Sequence, residues 1–68
     1  MDINITVNGE SRAMLPDSTV LSLLEALGLN PRAVAVELNG EILGRDDFAG
    51  TKLSGGDRVE LVRFVGGG

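Results

Sequence analysis

The stretch Arg58-Val59-Glu60-Leu61-Val62-Arg63-Phe64-Val65 runs directly into Gly66-Gly67-Gly68. Read as a strand from about Arg58 to Val65, it sends Val59 and Leu61 to one side and Val62 and Phe64 to the other, beside Glu60. It is the most apolar strand candidate in the chain. An apolar edge strand invites aggregation, so this segment is expected at the centre of a sheet, beside the first strand. The three glycines add no side chain to any core, and glycine raises the entropic cost of ordering the backbone. A tail without packing value points to a role for the terminal carboxylate, because glycine lets a backbone approach another surface closely.

Working outward from that strand, Ile3, Ile5 and Val7 alternate with polar residues, which predicts a half-buried strand. Asn8-Gly9 is a hairpin signal, since both residues tolerate positive φ. A return strand is expected over about Glu10 to Leu15, ended by Pro16-Asp17-Ser18. Val20, Leu23, Leu24 and Leu27 fall at i, i+3, i+4 and i+7, the single apolar stripe of an amphipathic helix of about ten residues. Ser18 or Thr19 can supply its N-cap oxygen, and Gly28 stands where a C′ glycine closes a helix. So short a helix is unstable alone in water and must dock on the sheet. Leu29 to Arg32 reads as a loop. Val34, Val36 and Leu38 give a third strand, Asn39-Gly40 a second hairpin turn, and Glu41-Ile42-Leu43 a short fourth strand. Residues 44–54 read as irregular, with a helical turn around Asp46 to Ala49 and with Phe48 and Leu53 as anchors to the core. Gly55-Gly56-Asp57 is a turn. One helix covers only one face of a sheet, so the class is α+β, with four to five strands and an open second face.

Length and composition bound the function. A chain of 68 residues implies one domain, expected to bury only about 60% of the surface its unfolded form exposes. With no cysteine or histidine there is no disulfide, no thiol nucleophile and no imidazole base. The net charge of −4 and the presence of only two aromatic residues argue against nucleic acid and against an anionic membrane surface. They fit a partner with a basic docking face. The start, Met1-Asp2-Ile3-Asn4, lacks the pattern of a signal peptide, so a cytoplasmic protein is expected.

Few residues could carry chemistry within the chain. Ser11, Ser18, Ser22 and Ser54 have no activating imidazole, and Lys52 sits in a polar loop. Asp46-Asp47 is half of a carboxylate metal site at best, with no further ligands at a metal-binding spacing. Ser54-Gly55-Gly56-Asp57 precedes a strand and lacks the lysine and helix of a phosphate-binding loop. No catalytic or metal-binding residue is therefore expected. Val62 and Phe64, facing away from the helix beside the glycines, form a candidate docking patch.

The whole chain resembles the ThiS family of ubiquitin-like β-grasp sulfur carriers. The resemblance rests on Thr19-Val20-Leu21-Ser22-Leu23-Leu24 opening the helix, and on Val34 to Leu43 as the middle hairpin. It rests further on Arg45 followed by Phe48, and on Gly56-Asp57-Arg58-Val59-Glu60-Leu61-Val62 leading to Gly67-Gly68. Gly44 departs from the pattern, since relatives often carry proline there. The resemblance implies a β-grasp domain over residues 1–65 and a flexible tail over 66–68. It implies a protein that is acted upon rather than an enzyme. Gly68 would be adenylylated with ATP by a ThiF- or MoeB-like adenylyltransferase. A cysteine desulfurase or other persulfide donor would then convert it to a thiocarboxylate. Thiazole synthase would take the sulfur for thiamin biosynthesis. Gly66 and Gly67 would thread a partner's channel, their extended reach with Gly68 being about 10 Å. No cofactor is implied on the chain itself. A MoaD-like carrier for molybdopterin, a carrier for tRNA thiolation and a ubiquitin-like modifier remain alternative readings.

Overall fold

The computed structural model describes residues 1–64. Val65, at the expected end of the last strand, and the glycines at 66–68 lie outside the described residues. The elements in chain order are β1 (Ile3–Val7), β2 (Glu10–Met14), α1 (Val20–Ala26), a 3-10 turn (Pro31–Ala33), β3 (Val34–Leu38), β4 (Glu41–Leu43), a second 3-10 turn (Arg45–Asp47) and β5 (Arg58–Arg63). The five strands form one mixed sheet in the order β2-β1-β5-β3-β4. β5 is central, parallel to β1 and antiparallel to β3.

Both hairpins turn at their Asn-Gly pairs. Asn8 and Gly9 have φ of 50° and 82°, and Asn39 and Gly40 have 53° and 87°. Positive φ at both central residues matches the right-handed twist of the flanking strands. Val7 opposite Glu10, and Leu38 opposite Glu41, are the closing pairs of these two-residue loops.

The asparagine side chains do more than permit the turns. Asn8 Oδ1 accepts from the Leu61 N–H at 2.8 Å, and Asn8 Nδ2 donates to the Leu61 carbonyl at 3.3 Å. A side-chain amide thereby replaces a peptide unit and extends the β1–β5 ladder beyond the end of β1. Asn39 Oδ1 accepts from the Arg58 N–H, while Asn39 Nδ2 donates to Asp57 Oδ1. The start and the middle of β5 are thus gripped by the turn residues of the two hairpins.

The helix is shorter than the apolar stripe suggests, seven residues rather than about ten. Thr19 is its N-cap. Thr19 Oγ1 accepts from the Ser22 N–H, and Ser22 Oγ accepts from the Thr19 N–H, a reciprocal capping box. Two further N-terminal donors are met by the irregular segment: the Val20 N–H reaches the Thr51 carbonyl and the Leu21 N–H the Phe48 carbonyl. At the other end Leu27 is the C-cap, and Gly28 follows with φ of 72°. The left-handed residue terminates the helix, so Leu27 packs half-buried at its end.

Val20, Leu23 and Leu24 are fully buried against Ile5, Val36 and Val59 of the sheet. Phe48 and Leu53 are buried as expected, and they tie the irregular segment to the core. Three other boundaries shift. β2 stops at Met14, one residue before Leu15. The presumed loop before β3 contains the turn at Pro31–Ala33, which the Asn30 side chain caps through the Arg32 N–H. The turn expected at Asp46 to Ala49 begins at Arg45, because Gly44 and Arg45 carbonyls accept from the Asp47 and Phe48 N–H groups.

Asn8→Ala removes both bonds to Leu61 and leaves the Leu61 backbone groups short of partners. It is expected to destabilise the domain by about 1–3 kcal/mol in urea unfolding.

Candidate functional site

β5 organises the candidate site because it is central, runs toward the glycines, and alternates sharply. Val59 and Leu61 are buried beneath the helix; Glu60 and Val62 stand on the opposite face. The strand registers carry this division across the sheet. Ala35 lies opposite Val62, Glu37 opposite Glu60, and Ile42 opposite Glu37. These five residues share the face that the helix does not cover.

The face has an apolar centre and an acidic flank. Val62 is 62% exposed and Ile42 is 84% exposed. They line a shallow depression of about 120 Å³ with Ala35, Glu37 and Glu60. Glu37 and Glu60 are directly opposed like charges, an arrangement that weakens a sheet. Among the described residues the one ion pair is Lys52 Nζ to Asp17 Oδ1 at 3.5 Å, so neither carboxylate of this acidic pair is held in an ion pair there. An exposed apolar pair beside two opposed carboxylates suits a partner with apolar and basic groups.

Phe64 does not join Val62 in a single patch. Its N–H donates to the Ala33 carbonyl at 2.8 Å, which continues the β5–β3 pairing one step past Arg63. Phe64 is 58% exposed and lines a different depression of about 370 Å³, with Gly28, Leu29, Asn30 and Ala33. The two expected docking residues therefore line two different depressions: Val62 on the open sheet face, Phe64 at the end of the sheet near the helix C-terminus. Gly66, Gly67 and Gly68, the expected threading and modified residues, lie outside the described residues. Asp46 and Asp47 are exposed in the second 3-10 turn, and among the described residues no three His, Cys, Asp or Glu side chains gather as a metal site.

Ile42 is the exposed apolar residue of the open face that sequence reasoning did not place there. A lone isoleucine in a three-residue strand has no alternation of its own, and its side is set by its pairing with Glu37. The opposition of Glu37 and Glu60 was equally hidden, because it depends on the β3–β5 register.

The family model of the ThiS family matches residues 5–68. The chain belongs to the ThiS family. The crystal structure of the thiamine biosynthesis protein ThiS from Geobacter metallireducens is 42% identical and superposes with a TM-score of 0.82, covering 97% of this chain and all of that one. The β-grasp, ubiquitin-like architecture expected from the sequence is therefore the observed one. The sulfur carrier protein ThiS of Bacillus subtilis is 35% identical over 65 residues, which are 94% of this chain and 98% of that protein. The thiazole synthase of Paramagnetospirillum magneticum is 41% identical over 66 residues, but this chain spans only about a fifth of that protein's length. A ThiS-like sequence thus lies within a polypeptide named for thiazole synthase. No helix among the described residues is long and apolar enough to cross a membrane.

Replacing Glu60 by glutamine removes one of the two opposed charges. We expect Glu60→Gln to raise stability by about 0.2–1 kcal/mol in urea titrations at neutral pH, with the gain shrinking in high salt.

Proposed function

We propose that this ThiS-family chain is a sulfur carrier for thiamine biosynthesis, a protein cosubstrate rather than an enzyme, acting in the cytoplasm. The observation that carries the reading is the family match across residues 5–68, which takes in the glycines as well as the folded body. The ThiS-like segment within thiazole synthase relatives supports thiazole synthase as the protein that receives the sulfur.

The chemistry follows from the reactivity of a carboxylate. A free carboxylate is a poor electrophile. Attack of the Gly68 carboxylate on the α-phosphate of ATP, on a ThiF- or MoeB-like adenylyltransferase, expels pyrophosphate and gives an acyl-adenylate. The terminal sulfur of a cysteine persulfide, supplied by a desulfurase, displaces AMP. A second thiol splits the resulting S–S bond, and the sulfur stays on Gly68 as a thiocarboxylate. ATP is held by the activating enzyme and not by this chain. With no cysteine in its sequence, the carrier offers no thiol that would compete for the sulfur.

The roles of the other residues are physical. Gly66 and Gly67 have no Cβ to obstruct a narrow channel. Ordering three tail residues costs on the order of 3–6 kcal/mol, which docking of the folded body has to offset. Val62 and Ile42 supply apolar burial for that docking, and Phe64 adds a second apolar contact at the sheet's end.

Two variants test the proposal together. Deletion of Gly68 is expected to abolish thiazole formation in a reconstituted system while leaving the melting temperature unchanged. Val62→Asp is expected to weaken association with the activating enzyme or thiazole synthase at least severalfold. Full thiazole formation without Gly68 would contradict the proposal.

A further inference from the structure

The helix-covered side of the sheet holds two arginines that the sulfur-transfer chemistry does not use. Arg12 lies opposite Ile5 in the β1–β2 register, so its side chain leaves the sheet on the core side. Its Nε is buried and has no hydrogen-bond partner among the described residues. A buried donor of this kind is uncommon and calls for a cause. Arg63 shares the same side with Val59 and Leu61 by strand alternation.

Both arginines line one cavity of about 420 Å³. Val7, Leu27, Leu29 and Leu61 give it an apolar floor, and Asn8 and Ser11 lie along its wall. Glu10 is also at the wall, but the ion pair between Lys52 and Asp17 is the one found among the described residues, so Glu10 neutralises neither arginine there. In a chain of net charge −4, two guanidiniums with no ion pair among the described residues share one apolar-floored cavity. Guanidinium is the cation whose planar fork matches a carboxylate, and it is weakly hydrated enough to be covered at an interface.

The location narrows the partner to a protein that engages residues 66–68, and of these thiazole synthase is the one whose relatives carry a segment like this chain. Arg63 is the last residue of β5, next to Phe64, so a protein that engages residues 66–68 also comes against this end of the sheet. The cavity shares Leu29 and Arg63 with the depression that Phe64 lines, whereas the open face around Val62 and Ile42 is on the other side of the sheet.

We infer that the Arg12/Arg63 cavity is a socket for an acidic side chain of thiazole synthase, with an adjacent aliphatic side chain of the same segment resting on the Val7, Leu27 and Leu61 floor. The inference rests on the sulfur-carrier reading for its choice of partner. It makes docking two-sided: the acidic open face meets basic groups, while the basic cavity receives an acidic one. Such opposed charge patterns fix orientation and speed encounter.

The test is the affinity of the full-length chain for thiazole synthase, measured by calorimetry at low and high salt, with wild type, Arg12→Gln, Arg63→Gln, the double variant and Glu10→Gln. Each single arginine variant is expected to weaken binding on the order of tenfold, with a flatter salt dependence in the double variant. Glu10→Gln, which removes the one carboxylate that lines the cavity among the described residues, is expected to tighten binding; it also guards against misreading a folding defect, since a misfolded variant does not bind more tightly. Affinities of both arginine variants within about twofold of wild type would overturn the socket. If Val62→Asp still weakened binding at least severalfold in that case, the sulfur-carrier reading would survive alone. Failure of the wild-type chain to bind thiazole synthase would overturn both. A melting-temperature rise with inorganic phosphate that disappears in the double variant, without any loss of thiazole synthase binding, would assign the cavity to a small anion instead and overturn the protein-docking role.

Discussion

β5 lies between a parallel neighbour and an antiparallel one, and the Asn8 amide continues its hydrogen bonding after β1 has turned away. This grip on the last strand is the constraint on which the functional end of the domain depends. β1 pairs with β5 only at Thr6–Arg58 and Val7–Val59. Without a further tie, the second half of β5 would have backbone partners on the β3 side alone. Asn8 supplies that tie at Leu61, and β3 holds the strand through Arg63 and the Phe64 N–H. The result is a strand held on both sides as far as Leu61 and on the β3 side as far as Arg63 and the Phe64 N–H.

The same central strand separates two chemically distinct surfaces. Its inward residues, Val59 and Leu61, close the core beneath Leu23 and Leu24, and the inward row ends at Arg63 beside the Arg12 cavity. Its outward residues, Glu60 and Val62, join Glu37 and Ile42 on the uncovered face. A single helix of seven residues is enough to stabilise the inner side because its N-terminal N–H groups are met by Phe48 and Thr51 carbonyls, so the irregular segment completes the helix as well as the core. Covering one face only is what leaves the other available for a partner.

Much of this was legible in the sequence because its signals are local. The Asn-Gly pairs fix both hairpins through backbone conformation, and the Val20, Leu23, Leu24 stripe fixes the buried face of the helix. The apolar content of β5 correctly places it at the centre, beside β1. What escaped the sequence is non-local. The bond between Asn8 and Leu61 joins residues 53 apart in the chain. β2 has no apolar alternation before Met14, so nothing in Glu10-Ser11-Arg12-Ala13 announces that Arg12 points inward; the pairing with Ile5 decides it. Val62 and Phe64 looked like one patch because they are two residues apart on a strand, yet β5 ends between them and Phe64 lines the end of the sheet.

The central claim is that the folded body exists to present the Gly68 carboxylate for charging with sulfur. Intact mass spectrometry of the chain after incubation with ATP, an activating enzyme and a persulfide donor tests it directly. The account predicts a mass increase equal to replacement of one oxygen by one sulfur, localised by fragmentation to Gly68. An unchanged mass under conditions that charge the Bacillus subtilis sulfur carrier, or sulfur found elsewhere on the chain, would contradict it.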